Sequence, residues 1–122
     1  MYTLAVSDHI MVAHAPCGAT YAIEAEFRAP RLDELNVLID PSLARAELRR
    51  ILDAIDRTNL DALPALAGQS TTPAFLAHQL FQALTRACVD GALGDGGQTV
   101  TTIRVTLRES PVVWTAYEGS LV

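Results

Sequence analysis

The sequence has 122 residues, a formal net charge of −5 and a hydrophobic fraction of 50%. A chain of this length suits one core, so we expect a single domain over residues 1–122. All nine basic residues are arginine, and the absence of lysine excludes a Schiff-base enzyme and a phosphate-binding loop that depends on lysine. Acidic residues outnumber basic ones and there is no basic run, which disfavours nucleic-acid binding.

The apolar residues are distributed as in a soluble protein. No apolar stretch approaches the ~20 residues that a membrane-spanning helix requires. Residues 1–8 lack the basic start and apolar block of a signal peptide, and two cysteines suggest no disulfide framework. We therefore expect a cytoplasmic protein without a membrane partner. Because alanine supplies many of the apolar positions, the core of one chain should be thin, and burial between chains is expected to add to it.

The first third of the chain predicts a β-hairpin. Residues 2–14 form an extended segment in which Ile10 and Val12 share one face, while His9 and Met11 point the other way. Pro16-Cys17-Gly18 supplies a turn, and residues 19–28 alternate cleanly between apolar and polar side chains. Because the connection is short, the two strands should pair antiparallel.

Two helices follow. Asp40-Pro41 has the chemistry of a helix start, and we expect that helix to end at Asn59 or before Pro64. Its spacing predicts that four charged side chains face water: Arg45, Arg49, Arg50 and Asp53. Thr72-Pro73 predicts the start of a second helix, which should stop near Gly91.

The chain ends with two further predicted strands. Residues 99–109 alternate and are rich in β-branched side chains, and residues 112–117 continue after the break at Ser110-Pro111. The order strand, strand, helix, helix, strand, strand contains no βαβ repeat. It predicts an α+β domain, with a four-stranded antiparallel sheet and both helices on one face.

His14 and Cys17 are the first candidate site. A histidine and a thiol three residues apart at a strand–turn–strand junction suit two metal ligands, or a nucleophile and its base. The alternative is a buried cysteine and an edge histidine without a chemical role. The other histidines add little, because His9 faces away from His14 and His78 lies within the second helix.

Two carboxylates are the other candidates. Asp56 follows the first helix, where it suits orienting a base or binding a substrate, or else pairing with Arg57. Glu109 ends the third long strand, where a carboxylate can accept two parallel N–H bonds from a guanidine-like heterocyclic edge, or simply be solvated. We expect Trp114 and Tyr117 to be packing residues rather than a stacking platform.

The element order and several local segments together resemble the 6-pyruvoyl-tetrahydropterin synthase and 6-carboxy-tetrahydropterin synthase family, which is built on the tunnelling fold. Ile10-Met11-Val12-Ala13-His14 is similar to the first-strand motif that ends in a zinc histidine. Asp56-Arg57-Thr58-Asn59-Leu60-Asp61 is similar to the segment that supplies a catalytic Asp–His pair. Leu107-Arg108-Glu109-Ser110 is similar to the segment whose carboxylate anchors the pterin. The segments at residues 17–21 and 71–77 also match, so the resemblance covers nearly the whole chain.

The resemblance implies a function and a set of site residues. It implies a carbon–oxygen lyase acting on a dihydroneopterin triphosphate-like substrate, with zinc held by His14 and Cys17, catalysis by Cys17 and Asp56, and the pterin held by Glu109. It also implies that three sheets close a barrel and that two such rings stack into a homo-hexamer, with binding sites between chains. Closure would remove the exposed edges of the sheet.

Several positions depart from the family pattern. Cys17 and Ala19 replace two of the three zinc histidines, and Ala74 replaces a glutamate at the start of the second helix. Arg57 replaces the catalytic histidine; it cannot act as a neutral base near pH 7 but is able to bind a substrate phosphate or carboxylate. Two interpretations follow: a shortened synthase, or a non-catalytic oligomer that binds a pterin or purine through Glu109 or serves a structural role.

Overall fold

The computed structural model describes residues 1–14 and 17–121, with the backbone alone for His14 and Cys17. Two long strands, β1 (Tyr2–His14) and β2 (Cys17–Ala29), form an antiparallel hairpin in which His14 pairs with Cys17. The predicted hairpin is therefore confirmed. Cys17 and Gly18, predicted as turn residues, belong to β2, and Pro16 lies outside the described part of the chain.

Two helices cover one face of the sheet. The first, α1 (Pro41–Asp53), begins at Asp40, whose side chain accepts a hydrogen bond from the Ser42 backbone N–H at 2.8 Å. The second, α2 (Pro73–Val89), begins at Thr72, whose hydroxyl accepts one from the Phe75 backbone N–H at 3.2 Å. Both predicted starts are confirmed, because an oxygen acceptor followed by proline is well suited to a first helical turn.

The first helix is shorter than predicted. It ends at Asp53, and after a turn the chain forms a two-residue strand, β3 (Thr58–Asn59). This strand runs parallel to β1, with Val12 opposite Thr58. Helical periodicity in the sequence could not indicate β3, because the formation of this strand depends on pairing with β1, which is distant in sequence.

The remaining strands are β4 (Thr102–Ser110) and β5 (Val113–Ser120). The sheet order is β3-β1-β2-β4-β5, and every neighbouring pair except β3–β1 is antiparallel. The four predicted antiparallel strands and the two helices are thus confirmed as an α+β fold, with β3 as a fifth, unpredicted strand. Residues 99–101 precede β4 rather than belonging to it, because residues 95–99 form a 3-10 turn.

The core lies between the sheet and the helices. Alternate strand residues face the helices and are buried, among them Ile10, Tyr21, Ile23, Phe27, Ile103 and Leu107. The helices contribute mainly leucine and alanine, including Leu48, Leu52, Leu76 and Leu84. The opposite face of the sheet carries no helix, and we call it the open face.

Candidate functional site

One end of the sheet carries most of the predicted site residues. It is the end at which β1 meets β2, where His14 and Cys17 are directly opposite each other in the strand register. The described structure does not extend to their side chains, so their roles as metal ligands and the role of Cys17 as a nucleophile stay predictions. The short strand β3 lies beside the same end of β1, with Asn59 opposite Ala13.

Asp56 is held at this end by two hydrogen bonds. Its Oδ1 accepts from the Met11 backbone N–H at 2.9 Å, and its Oδ2 accepts from Arg49 Nη2 at 2.8 Å. The carboxylate therefore connects the edge of β1 to α1. Arg57 is the pairing alternative predicted for Asp56, but the ion pair is formed by Arg49.

Arg49 contacts three carboxylates at once. Besides Asp56, its Nε lies 2.9 Å from Asp53 and its Nη1 lies 3.1 Å from Asp8 on β1. The prediction that Arg49 faces water is wrong, because its guanidinium bends over the helix end towards β1. The i,i+4 spacing of Arg49 and Asp53 was a signal available in the sequence, but α1 ends at Asp53, so this signal did not extend to Asp8 or Asp56.

These contacts lower the pKa of Asp56 below its ordinary value. The largest cause is the hydrogen bond from the Met11 backbone N–H, and the Arg49 charge adds to it against the opposing effect of burial. A carboxylate stabilised as the anion is a weak proton acceptor near pH 7. The geometry suits Asp56 to orienting a neighbouring group more than to carrying a proton.

Arg57 follows Asp56 in an unusual backbone conformation. Its φ is +59°, in the left-handed region that residues with a Cβ seldom adopt. Its backbone N–H donates to the Met11 carbonyl at 2.6 Å, which helps to hold this conformation. The side chain is exposed, and it forms no ion pair among the residues that the structure describes.

Glu109 lies two strands away at the same end of the sheet. The pairing of β4 with β5 is interrupted between Arg108 and Ser110, so Glu109 is the additional residue of a β-bulge. Simple alternation would turn Arg108 and Glu109 to opposite faces. Instead both line one shallow depression of about 580 Å³, together with Thr20 and Ala22 of β2 and the Ser110-Pro111 corner. The Glu109 side chain is exposed there on the single chain.

Trp114 lies next to this depression on the open face. It pairs across the sheet with Arg108, whose guanidinium carbon is 4.6 Å from the centre of the indole ring. The prediction that Trp114 is a packing residue is wrong, since half of it is exposed. Tyr117 does pack, in edge-on contact with His78 and Phe81 of α2.

The described side chains do not by themselves form a metal site. Among them, no group of three or more histidine, cysteine, aspartate or glutamate residues is placed to hold an ion. His14 and Cys17 would provide two donors, whereas zinc normally takes three or four from protein. Ala19, at the position of the third family histidine, has no donor atom.

The second cysteine is not a candidate nucleophile. Cys88 is buried in α2, and burial raises the pKa of its thiol to about 11. It therefore stays protonated near neutral pH and behaves as a small apolar residue.

Within the described ranges, no helix combines the length and hydrophobicity needed to span a bilayer.

Comparison with known proteins identifies the family. The family model described as 6-pyruvoyl tetrahydropterin synthase matches residues 5–120. The structure is similar to that of the 6-pyruvoyl tetrahydropterin synthase of Caenorhabditis elegans, with a TM-score of 0.77, 19% identity, and 98% of this chain and 96% of that chain covered. The Plasmodium falciparum protein of the same name gives 0.75 and 10%, and the Plasmodium vivax protein 0.70 and 13%, with 98% of both chains covered in each comparison. No curated protein matches the sequence. Because the matched residues 5–120 include both helices, most of β1 and all of the other strands, the chain belongs to the 6-pyruvoyl tetrahydropterin synthase family.

Proposed function

We propose that this protein binds a pterin-type heterocycle through Glu109 in a homo-oligomer. The observation that carries the proposal is the bulge in β4, which brings the Glu109 carboxylate to a depression beside Thr20 and Ala22 at the end of the sheet. A carboxylate there is free to accept two parallel N–H bonds from the amino-pyrimidine edge of the ring. Family membership and the matching position of Glu109 support this role.

The charges at this end of the sheet suit a substrate with an anionic side chain. Arg57 presents a guanidinium without an ion-pair partner in the described structure. It directly precedes β3, which β1 and β2 separate from β4. Guanidinium groups bind phosphate and carboxylate with paired hydrogen bonds. We assign Arg57 to the phosphate or carboxylate of the ligand and Glu109 to its ring.

The depression is open on one chain, so a second chain is needed to enclose the ligand. We propose a homo-hexamer in which neighbouring sheets join edge to edge. The outer edge of β1 before residue 9 and the outer edge of β5 up to residue 119 pair with no other strand in the described chain. Exposed edges of this length are usually covered in native proteins.

The runner-up function is a carbon–oxygen lyase acting on a dihydroneopterin triphosphate-like substrate, with Cys17 and Asp56 moving protons. In support of the lyase function, the strand register brings Cys17 and the segment around Asp56 to the same end of β1. We prefer the binding function to the lyase function, because Asp56 is stabilised as an anion and Arg57 occupies the position where a base would be required. Zinc would need donors from another chain beyond His14 and Cys17.

The test is the binding of pterin to the purified protein, measured by titration calorimetry. Replacing Glu109→Gln removes the charge and one acceptor, and we expect binding to weaken by about 1.5–3 kcal/mol, the scale of a charge-assisted hydrogen bond. Glu24→Gln is the matched control, because Glu24 lies on the open face of β2 outside the depression. Equal affinity of the Glu109→Gln variant and the wild-type protein would remove Glu109 as the anchor.

A further inference from the structure

Three arginines lie on the open face of the sheet, and one of them differs from the other two. Arg28 forms ion pairs with Glu118 at 2.8 Å and with Glu26 at 3.8 Å, and Arg104 lies 3.7 Å from Glu26. Arg108 makes no ion pair among the described residues, although the acidic Glu109 is its neighbour in sequence. Its guanidinium lies over Trp114 instead.

The contact with Trp114 fixes the position of the Arg108 charge. A separation of 4.6 Å between the guanidinium carbon and the ring centre is within the range of a cation–π interaction. Stacking on a flat ring restricts the side chain but leaves its N–H groups able to donate in the guanidinium plane. The result is an oriented donor whose hydrogen-bonding capacity is not used by a carboxylate.

The β4 bulge places this donor next to an acceptor. Arg108 and Glu109 line the same depression, so a ligand seated there is able to meet both N–H donors and a carboxylate. The complementary ring edge has two adjacent donors followed by an acceptor. A 2-amino-4-oxo pyrimidine ring has this pattern, with the 2-amino group and N3–H as donors and the 4-oxo oxygen as the acceptor.

We propose that Arg108, held by Trp114, is a specificity-determining residue that reads the 4-oxo group of the ring. The inference rests on the proposed function, since it takes Glu109 as the anchor of the same ring. A ring with a 4-thioxo group in place of the oxygen keeps the 2-amino and N3–H donors for Glu109 but offers Arg108 only a weak acceptor. Such a mismatch leaves polar groups unpaired and is rejected more strongly than a mere loss of apolar contact.

The experiment compares pterin with 2-amino-4-thioxopteridine on the wild-type protein and on Arg108→Ala. Trp114 is the only tryptophan in the chain, so quenching of its fluorescence reports binding next to the depression. We expect the wild-type protein to prefer pterin about tenfold or more, the ratio that corresponds to one hydrogen bond to a charged group. In Arg108→Ala the preference should fall to near unity, mainly through weaker pterin binding.

Two further variants separate this role from a general effect on the fold. Arg104→Ala removes an arginine from the same strand and face, outside the depression, and should keep the wild-type preference. Trp114→Leu, measured by calorimetry, should retain part of the preference, because the Arg108 charge remains but its orientation is lost. A preference that is unchanged in Arg108→Ala, or lost equally in Arg104→Ala, would overturn the inference.

The failure of this inference is distinguishable from that of the proposed function. If the wild-type protein binds pterin in a manner that depends on Glu109 but does not discriminate between the two rings, only the role of Arg108 is wrong. If the wild-type protein binds neither ring, the proposed pterin function is wrong and the role of Arg108 falls with it.

Discussion

At the scale of single residues, Arg49 determines what Asp56 is able to do. One guanidinium contacts Asp8, Asp53 and Asp56 and also donates to the His9 carbonyl at 3.2 Å. These contacts join α1, the edge of β1 and the segment that leads into β3. The Arg49 charge helps to stabilise Asp56 as an anion, and its contacts make the Asp56 segment a fixed support for Arg57.

The lowered pKa of Asp56 predicts a specific dependence of stability on pH. A carboxyl group whose pKa is lower in the folded state stabilises the fold above its ordinary value near 3.8, and this contribution is lost as the pH falls towards the folded-state pKa. Asp56→Asn should therefore lower the free energy of unfolding by about 1–3 kcal/mol at pH 7. The difference between variant and wild type should shrink below pH 4 in urea unfolding experiments.

The matched control for this prediction is Glu34→Gln. Glu34 is exposed in the loop before α1 and makes no ion pair in the described structure, so its replacement should leave stability unchanged at both pH values. A loss of stability in Asp56→Asn that is as large at pH 3.5 as at pH 7 would show that the ionised form is not what stabilises the fold.

At the scale of the elements, β5 packs on α2 through a small set of close contacts. The rings of Phe81, His78 and Tyr117 form a cluster, with the Phe81 ring centre 6.4 Å from that of His78 and 4.9 Å from that of Tyr117. Gly119 of β5 lies against the Phe81 ring, and a Cβ atom at this position would be 2.5 Å from that ring. The glycine is therefore required for the close approach of the strand to the helix, and this approach also holds the strand that carries Trp114.

Gly119→Ala tests this packing. The added methyl group must displace the Phe81 ring, and we expect the free energy of unfolding to fall by about 1–3 kcal/mol, as for other overpacked cores. Phe81→Leu in the same background should recover part of the loss, because the shorter side chain gives space to the methyl group. Urea unfolding of the two single variants and the double variant measures the coupling, and additive effects would contradict the direct contact.

At the scale of the whole molecule, the sheet has one face and two edges that the helices do not cover. The open face presents apolar side chains at the site end, among them Met11 and Trp114, and ion pairs elsewhere. This arrangement supports association through the sheet, as proposed for the hexamer, and it would place the Glu109 depression beside a second chain.

Native mass spectrometry tests the hexamer directly. We expect a mass of six times the 13.1 kDa chain. Edge-to-edge closure of three sheets would cover the strand edges that a single chain leaves open, and two such rings would stack. The same spectrum shows whether zinc is retained, and His14→Ala should remove any metal that His14 binds. A single-chain mass at micromolar concentration would contradict both the hexamer and an enclosed site.

The sequence determined the fold class, the order of the main elements and their starts, because alternation, helical spacing and the cap residues before Pro41 and Pro73 are local properties. The sequence also indicated the family, because segments that resemble it follow one another in the same order over nearly the whole chain. The positions of Asp56 and Glu109 were identified in the same way, although the proposed binding role of Glu109 depends on ligand experiments.

Only the tertiary structure decided which partners these residues meet. Arg49 pairs with Asp56 because α1 ends beside β1, and Arg108 meets Trp114 because the β4–β5 register places them opposite each other. The strand β3 and the β4 bulge depend in the same way on pairing between segments distant in sequence. Contacts of this kind follow from how the elements pack together, so no local pattern of residues carries the information that specifies them.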